Sequence, residues 1–296
     1  MNFYRLIDRH LGKILVAPAL IGLAFVVLYP LFMNIFMSFQ EMKLTRPDAH
    51  GWVGFDNYKA LLGDPVFRKA IGNSLLWTVL GVTGQLLVAL PIALLLNVDF
   101  RGRGFYRGAL LIPWVMPSVV AAFTWVWMYD GSFGIINHIL MQLHLIEKPI
   151  IWLGKKDTAL LAVVIEHIWK GFPFPMVMLL ASLQTIPKDI YEAADVDGAS
   201  RWQKVMRITI PLIMPTLALC TVFLTIWTFN SFENIWLMTE GGPLNASETL
   251  TTYVYKVAFQ SFDLGKAASS ALIMLSMLSV VIAIYAIFIS RRQEVR

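Results

Sequence analysis

Long stretches of apolar residues without a charge alternate with shorter polar stretches along this chain. A helix needs about 20 mostly apolar residues to cross the ~30 Å hydrocarbon core of a membrane. Five stretches reach that length: Ile14–Phe39, Ser74–Leu96, Ala109–Tyr129, Pro211–Phe232 and Ala267–Ser290. The pattern therefore predicts a membrane-spanning helix at each of these positions.

A further stretch, Ala159–Leu183, is equally long but contains Glu166, His167 and Lys170. We count it as a span, because without it the two chain ends would lie on opposite sides of the membrane and the basic loops would not segregate. The predicted fold class is all-α: a polytopic integral membrane protein with six transmembrane helices.

The first apolar stretch follows Arg5, Arg9 and Lys13, as the apolar region of a secretory signal follows basic residues. In a signal peptide that region is typically about 7–15 residues long and leads to a cleavage site of small residues. Here 26 residues run from Ile14 to Phe39 and end in large side chains. We therefore expect an uncleaved helix.

Lysine and arginine are unevenly divided between the loops on the two sides of the predicted helices. The side that holds the N-terminus has 13 of them within 58 residues, whereas the other side has 10 within 97 residues. Because basic loops are retained in the cytoplasm, both termini are predicted to be cytoplasmic.

The composition agrees with a membrane protein. Hydrophobic residues make up 57% and charged residues 15% of the chain, and the mean hydropathy is +0.65. Soluble proteins average roughly 45–50% apolar and about 25% charged residues. The net charge of +5 comes from bases spread over the membrane flanks, so no binding to nucleic acid is expected, since that requires a basic patch.

The chain lacks the motifs of the common catalytic and nucleotide sites. It contains no G-x-x-x-x-G-K-[ST] segment, so it is not expected to bind ATP by itself. The one cysteine, Cys220, lies inside a predicted span, and the histidines form no H-E-x-x-H pair. We predict no enzyme, no metal site and no cofactor of its own; if the protein is driven by ATP, a separate ATPase subunit uses the ATP and magnesium.

The cytoplasmic loop 184–210 has the pattern of two short helices joined by a bend. Pro187 suits the first turn of a helix, and Gly198 can adopt the left-handed conformation that ends one. Ser200 and Gln203 have the spacing of a capping box for a second helix. We call this segment the hook; the alternative is a solvated linker.

The hook resembles the signature of ABC importer permeases, E-A-A-x3-G-x9-I-x-L-P. The matching residues are Glu192-Ala193-Ala194, Gly198 after three residues, and Ile208-Thr209-Ile210-Pro211 after nine more. The one departure is Ile210 in place of leucine, which keeps the apolar character. The resemblance implies the ABC type I importer permease fold.

Further segments resemble the carbohydrate branch of that family, related to maltose and glycerol-phosphate importers. They are Phe55-Asp56-Asn57-Tyr58, Leu183-Gln184-Thr185-Ile186-Pro187, Thr239-Glu240-Gly241-Gly242-Pro243 and Phe259 to Ala268. The resemblance covers roughly residues 50–290. It implies a permease subunit that imports a sugar or sugar derivative, while a partner ATPase subunit hydrolyses the ATP.

The resemblance also implies which residues act. In the family the hook docks on the cytoplasmic ATPase, and the coupling residues would be Glu192, Ala193, Ala194, Asp197, Gly198 and Ser200. A sugar site in the membrane would use the fourth and fifth spans, at Lys170, Gly171, Phe174, Leu224, Trp227, Thr228 and Ser231. Aromatic faces stack on sugar rings, and hydroxyl groups bond to sugar hydroxyls.

Glu166 and Lys170 have two interpretations of equal weight. Their i, i+4 spacing allows an ion pair on one helix face, but ionisable groups within a membrane also mark functional sites. If Glu166 does not neutralise Lys170, the lysine favours an anionic sugar or a sugar phosphate.

The implied assembly contains a second homologous permease subunit, two copies of the ATPase and a periplasmic binding protein, all around a small-molecule sugar and a lipid bilayer. A heterodimer of permeases is favoured over a homodimer. The expected organisation is a cytoplasmic segment 1–13, a permease domain 14–290 and a cytoplasmic tail 291–296, in the bacterial inner membrane.

Two other functions remain open at this point. An ion-coupled secondary transporter would use the Glu166 and Lys170 pair as its coupling site, but such folds usually show repeated halves, and no convincing repeat is present. A membrane enzyme acting on lipids would need a cluster of acids or histidines, which only Glu166 and His167 approach.

Overall fold

The computed structural model describes residues 15–46, 48 and 51–293. The predicted cytoplasmic segment 1–13 lies outside the described residues, as do the last three residues of the predicted tail 291–296. The tail's first three residues continue the last helix.

The described residues form helices joined by short connections, together with one two-stranded antiparallel hairpin. The helices are α1 (Leu15–Ser38), α2 (Asp56–Gly63), α3 (Pro65–Asn97), α4 (Arg103–Val115), α5 (Ser118–Met128), α6 (Ile135–Gln142), α7 (Ala159–Gly171), α8 (Pro173–Gln184), α9 (Lys188–Val196), α10 (Arg201–Phe229), α11 (Glu233–Thr239), α12 (Leu250–Phe259) and α13 (Leu264–Gln293). The hairpin strands are β1 (Gln40–Glu41) and β2 (Gly51–Trp52), with Gln40 opposite Trp52.

Among the described residues, four helices are each long and apolar enough to cross a membrane: α1, α3, α10 and α13. The pairs α4 with α5 and α7 with α8 also qualify, if each pair is one span with a break. Six spans result, at the positions of the six predicted stretches.

The prediction of a single helix over Ala109–Tyr129 is wrong. The segment bends by 92° between α4 and α5, where Met116 is extended with ψ of 132°. Proline has no N–H and disfavours the helical conformation of the residue before it, so Pro117 accounts for the end of α4 at Val115. The fourth span bends less, by 41°, at Phe172 and the two following prolines.

The prediction that the fifth span begins at Pro211 is also wrong. Helix α10 begins at Arg201, within the hook, and passes through a π-helical turn at Val205–Thr209 before continuing as α-helix from Ile210 to Phe229. A π-turn shifts the hydrogen-bond pattern just ahead of Pro211, whose nitrogen cannot donate. The hook and the fifth span therefore share one helix.

The second span likewise starts earlier than predicted, at Pro65. The short helix α2 (Asp56–Gly63) directly precedes it.

The chain divides into two compact units. In the larger one, residues 65–253 and 277–296, α3 packs along α7, α8 and α10. Small residues of α3, Ala89 and Ala93, are fully buried there against Met176 and Leu179 of α8. A second apolar cluster joins Trp77 of α3 to Val163 of α7 and Ile235 of α11.

The smaller unit, residues 1–64 and 254–276, is organised around the end of α1. Asn57 Nδ2 donates to the carbonyls of Ser38 at 3.0 Å and Gln40 at 2.9 Å. Tyr58 and Ser269 add bonds to the same Ser38, at 2.7 and 2.8 Å. The Phe55–Tyr58 motif of the sequence is thus a cap for a membrane helix.

Candidate functional site: the hook and the bent-helix surface

The hook has the predicted architecture. Helix α9 ends at Val196, and Gly198 takes the left-handed conformation with φ of 72°. Ser200 and Gln203 form the capping box that starts α10, with bonds of 2.7 and 3.3 Å. A salt bridge of 2.6 Å between Lys204 Nζ and Asp195 Oδ1 ties the two arms together.

The predicted coupling residues do not all point outward. Glu192, Ala193, Asp197, Gly198 and Ser200 are exposed, whereas Ala194 is buried. Of the two alanines, only Ala193 is accessible to another protein in this conformation.

The surface of the hook also carries large apolar side chains. Val196 is 88% exposed and Trp202 is 69% exposed, on either side of the bend at Gly198. Exposed apolar groups rimmed by charged ones are typical of a protein-binding surface. The hook therefore has the composition of a docking element.

Lys170, the lysine within the fourth span, lies at the break between α4 and α5 of the third span. Lys170, in the last turn of α7, donates from Nζ to the carbonyl oxygen of Met116 at 2.7 Å. That carbonyl lies at the break between α4 and α5, where the helix no longer supplies an N–H partner. Lys170 thus bonds to backbone rather than to Glu166.

Glu166 has a separate partner. Its side chain is fully buried, and its Oε2 accepts a hydrogen bond from Asn234 Nδ2 of α11. Asn234 in turn accepts from Ser231 Oγ at 3.3 Å through its Oδ1, whereas Glu166 Oε1 has no partner among the described residues. The structure therefore contains no direct ion pair between Glu166 and Lys170.

Aromatic side chains form a continuous surface beside Lys170. The ring of Phe174 lies 4.7 Å from that of Trp227 and 6.1 Å from that of Trp114, and Trp227 is 6.2 Å from Phe223. Trp114 and Trp227 are each about half exposed, at 50% and 51%. We call these four residues the aromatic surface; flat faces of this kind can stack on a sugar ring.

Of the remaining predicted substrate residues, two are buried and two are partly exposed. Leu224 and Thr228 are buried, and Thr228 bonds to Nε2 of His167 at 3.1 Å. Gly171 and Ser231 are partly exposed. Gly171 lies so close to Gln85 that a Cβ would fall 2.6 Å from the amide, and Ser231 bonds to Asn234. Phe174 and Trp227 are the predicted residues within the aromatic surface, and Lys170 lies beside it.

Several contributing residues were not predicted. Met116 and Trp114 come from the break in the third span, and Asn234 comes from α11. The Met-Pro dipeptide at 116–117 is a signal for a break, but no local pattern links it to Lys170, 54 residues away.

Comparison with known proteins gives a consistent result. A family model described as "Binding-protein-dependent transport system inner membrane component" matches residues 85–294. The sulfoquinovosyl glycerol transport system permease protein SmoG of Agrobacterium fabrum is 36% identical over 94% of this chain and 90% of its own. The trehalose/maltose transport system permease protein MalF of Thermococcus litoralis is 34% identical, over 87% and 85%.

A solved structure shares the fold. The crystal structure of a bacterial ABC transporter involved in the import of the acidic polysaccharide alginate contains a chain that matches with a TM-score of 0.81 and 25% identity, over 99% of both chains.

Proposed function

Because the chain belongs to the family of binding-protein-dependent transport system inner membrane components, we propose that it is one permease subunit of an ATP-driven importer. The importer takes a sugar or sugar derivative from a periplasmic binding protein and moves it into the cytoplasm. Relatives named as permeases for sulfoquinovosyl glycerol and for trehalose and maltose support a carbohydrate substrate.

The proposed complex contains this subunit, a second homologous permease, two ATPase subunits and a periplasmic binding protein. Both termini of the chain and the hook face the cytoplasm, which is supported by the excess of lysine and arginine on that side. In this orientation the ATPase subunits contact the hook on the cytoplasmic side, and the binding protein contacts the periplasmic side of the permease.

The observation that carries this proposal is the continuity of the hook with the fifth span. Helix α10 contains Arg201 and Trp202 of the hook at one end and Trp227 of the aromatic surface at the other. An ATPase that moves the hook therefore moves a substrate-facing helix directly. The exposed Glu192, Ala193, Asp197, Gly198 and Ser200 are the proposed docking residues.

The proposed sugar site is the aromatic surface with Lys170. Gly171 permits the close approach of α7 to α3, and the buried Leu224 and Thr228 and the partly exposed Ser231 complete the proposed site. Substrate would stack on Trp227 and Phe174, because apolar sugar faces pair with aromatic rings.

The experiment is a charge reversal on the hook. The chain is reconstituted in proteoliposomes with its partner permease, ATPase and binding protein, and ATP hydrolysis and uptake are measured together. Glu192→Lys replaces an exposed side chain, so the complex should remain in the membrane. ATP-dependent uptake should fall at least about tenfold, because the new lysine would face basic residues of the ATPase that pair with Glu192, and like charges across an interface repel.

The matched control is Glu147→Lys, the same exchange at an exposed position in the connection between α6 and α7. It should leave uptake unchanged. Undiminished uptake by the Glu192 variant, or equal loss in both variants, would contradict the docking role of the hook.

A further inference from the structure

The ammonium group of Lys170 is not neutralised by a carboxylate. No acidic oxygen of the described residues lies within the 4.0 Å ion-pair distance of its Nζ, and the salt bridges of Lys43, Lys59, Arg103, Lys204 and Lys266 are all elsewhere. Glu166, one turn earlier, is buried against Asn234, and Glu233, exposed at the start of α11, does not pair with it.

The bond to Met116 does not by itself explain a charge at this position. A lysine has three N–H donors, and the carbonyl of Met116 takes one of them. A neutral amide or hydroxyl could also donate to this carbonyl, although more weakly than a cation. An unpaired cation inside a membrane span is unfavourable and by default indicates a functional site, so the remaining donors of this half-buried group are available for a ligand.

The lysine flanks the aromatic surface. Phe174 follows Lys170 by four residues, Trp114 precedes Met116 by two, and the Phe174 and Trp227 rings are 4.7 Å apart. A sugar ring stacked on these side chains has the ammonium at its edge. An acidic substituent on that ring would pair with Lys170 through charge-assisted hydrogen bonds, which are about twice as strong as neutral ones.

We propose that the transported substrate is an anionic sugar derivative, bearing a carboxylate, sulfonate or phosphate group that binds Lys170 while the ring stacks on Trp227 and Phe174. This inference rests on the proposed function and narrows its substrate class. Neutral sugars would stack equally well but would leave the ammonium without a counter-charge.

The experiment first identifies the cargo with the complete reconstituted complex. Binding of glucuronate, glucose 6-phosphate, sulfoquinovose, glucose, maltose and trehalose to the purified binding protein is measured by calorimetry. ATP-dependent uptake of each sugar is then measured in proteoliposomes. An anionic member of the panel should be the transported one.

Lys170 is then varied in the same proteoliposomes. Lys170→Gln keeps a donor for Met116 but removes the charge, and should lower uptake of the anionic sugar by about 30-fold, as when one partner of a buried charge pair is lost. Lys170→Arg keeps the charge and should retain most of the uptake. Lys156→Gln removes an exposed lysine outside the spans and should have no effect. Basal ATP hydrolysis shows that each complex is folded.

The outcomes separate the two proposals. ATP-dependent uptake of a neutral sugar only would leave the importer function standing and overturn the anionic substrate. Equal losses in the Gln and Arg variants, or no loss in the Gln variant, would also overturn it, because Lys170 would then be a structural cap or irrelevant. Absence of ATP-dependent uptake for every sugar would overturn the importer function and this inference with it.

Discussion

One polar side chain within a span and one in the short helix that follows the fifth span show how a membrane protein satisfies groups that it cannot hydrate. Glu166 is fully buried and Asn234 nearly so, and they bond to each other across 68 positions of sequence. Removing one partner leaves the other desolvated, whereas removing both can be nearly neutral. Variants of this pair can therefore show whether the two side chains stabilise the fold through their mutual hydrogen bond.

Asn234→Leu should lower the free energy of unfolding by about 1–3 kcal/mol, because the Glu166 carboxyl loses its donor. The double variant Glu166→Leu with Asn234→Leu should recover most of that loss. Thermal unfolding midpoints in detergent provide the measurement. Additive losses in the double variant would mean that the two side chains act independently.

Gly265 in the smaller unit lies where no side chain fits. A Cβ there would overlap the carbonyl oxygen of Gln40, whereas a Cβ on Gly72 of α3 would meet nothing within 4 Å. Gly265→Ala should therefore destabilise by about 1–3 kcal/mol through overpacking against backbone. Gly72→Ala, also in a helix, should stabilise by up to about 1 kcal/mol. Thermal unfolding midpoints in detergent compare the two variants. Equal midpoints would contradict the close approach of Gly265 to the Gln40 carbonyl.

The sequence predicted side-chain chemistry at this scale but not side-chain partners. The i, i+4 spacing of Glu166 and Lys170 allowed an ion pair, and the structure instead gives each a partner from a distant segment. Periodicity reports which residues share a helix face, whereas Met116 is brought to that face by the bend between α4 and α5, and Asn234 by the short helix α11. No local pattern links either residue to its partner.

At the scale of elements, the hook was predictable because its signals are local. The left-handed glycine and the capping box need only neighbouring residues, and both are present at the predicted positions. The prolines were less informative. Pro91 and Pro215 lie inside continuous helices, but Pro117 coincides with a bend of 92°. One difference is that the carbonyl exposed at this bend accepts a hydrogen bond from Lys170, a residue distant in sequence.

Ser200→Ala removes the acceptor for the Gln203 amide and should cost about 1 kcal/mol in the first turn of α10. Faster hydrogen exchange at residues 201–204 is the expected result. Gln203→Glu preserves the capping box and serves as the control. Equal exchange in both variants would show that the cap does not hold the hook.

At the scale of the whole molecule, the positions of five spans were predictable from apolar length, because hydrocarbon thickness sets that length; the charged fourth span also required the argument from the sidedness of the basic loops. The ends of the spans were not predictable. Helices α3 and α10 begin well before their apolar stretches, since polar first turns can remain helical in water.

The proposed orientation has a direct test in cysteine labelling. The native Cys220 is fully buried and should stay silent. Lys156→Cys should react with an impermeant maleimide in intact spheroplasts, whereas Trp202→Cys, exposed on the hook, should react only after permeabilisation. The opposite pattern would place both termini outside.

The unbroken course of α10 has a mechanical meaning. Its 29 residues make a rod about 40 Å long at 1.5 Å per residue, with Trp202 near one tip and Trp227 near the other. In the proposed importer, a rotation of the hook end of α10 would also turn the Trp227 ring at the other end, which belongs to the proposed sugar site. Such a rotation needs no transmission through a loop, and the π-turn at Val205–Thr209 and Pro215 are places along α10 where the helix is less regular and could bend.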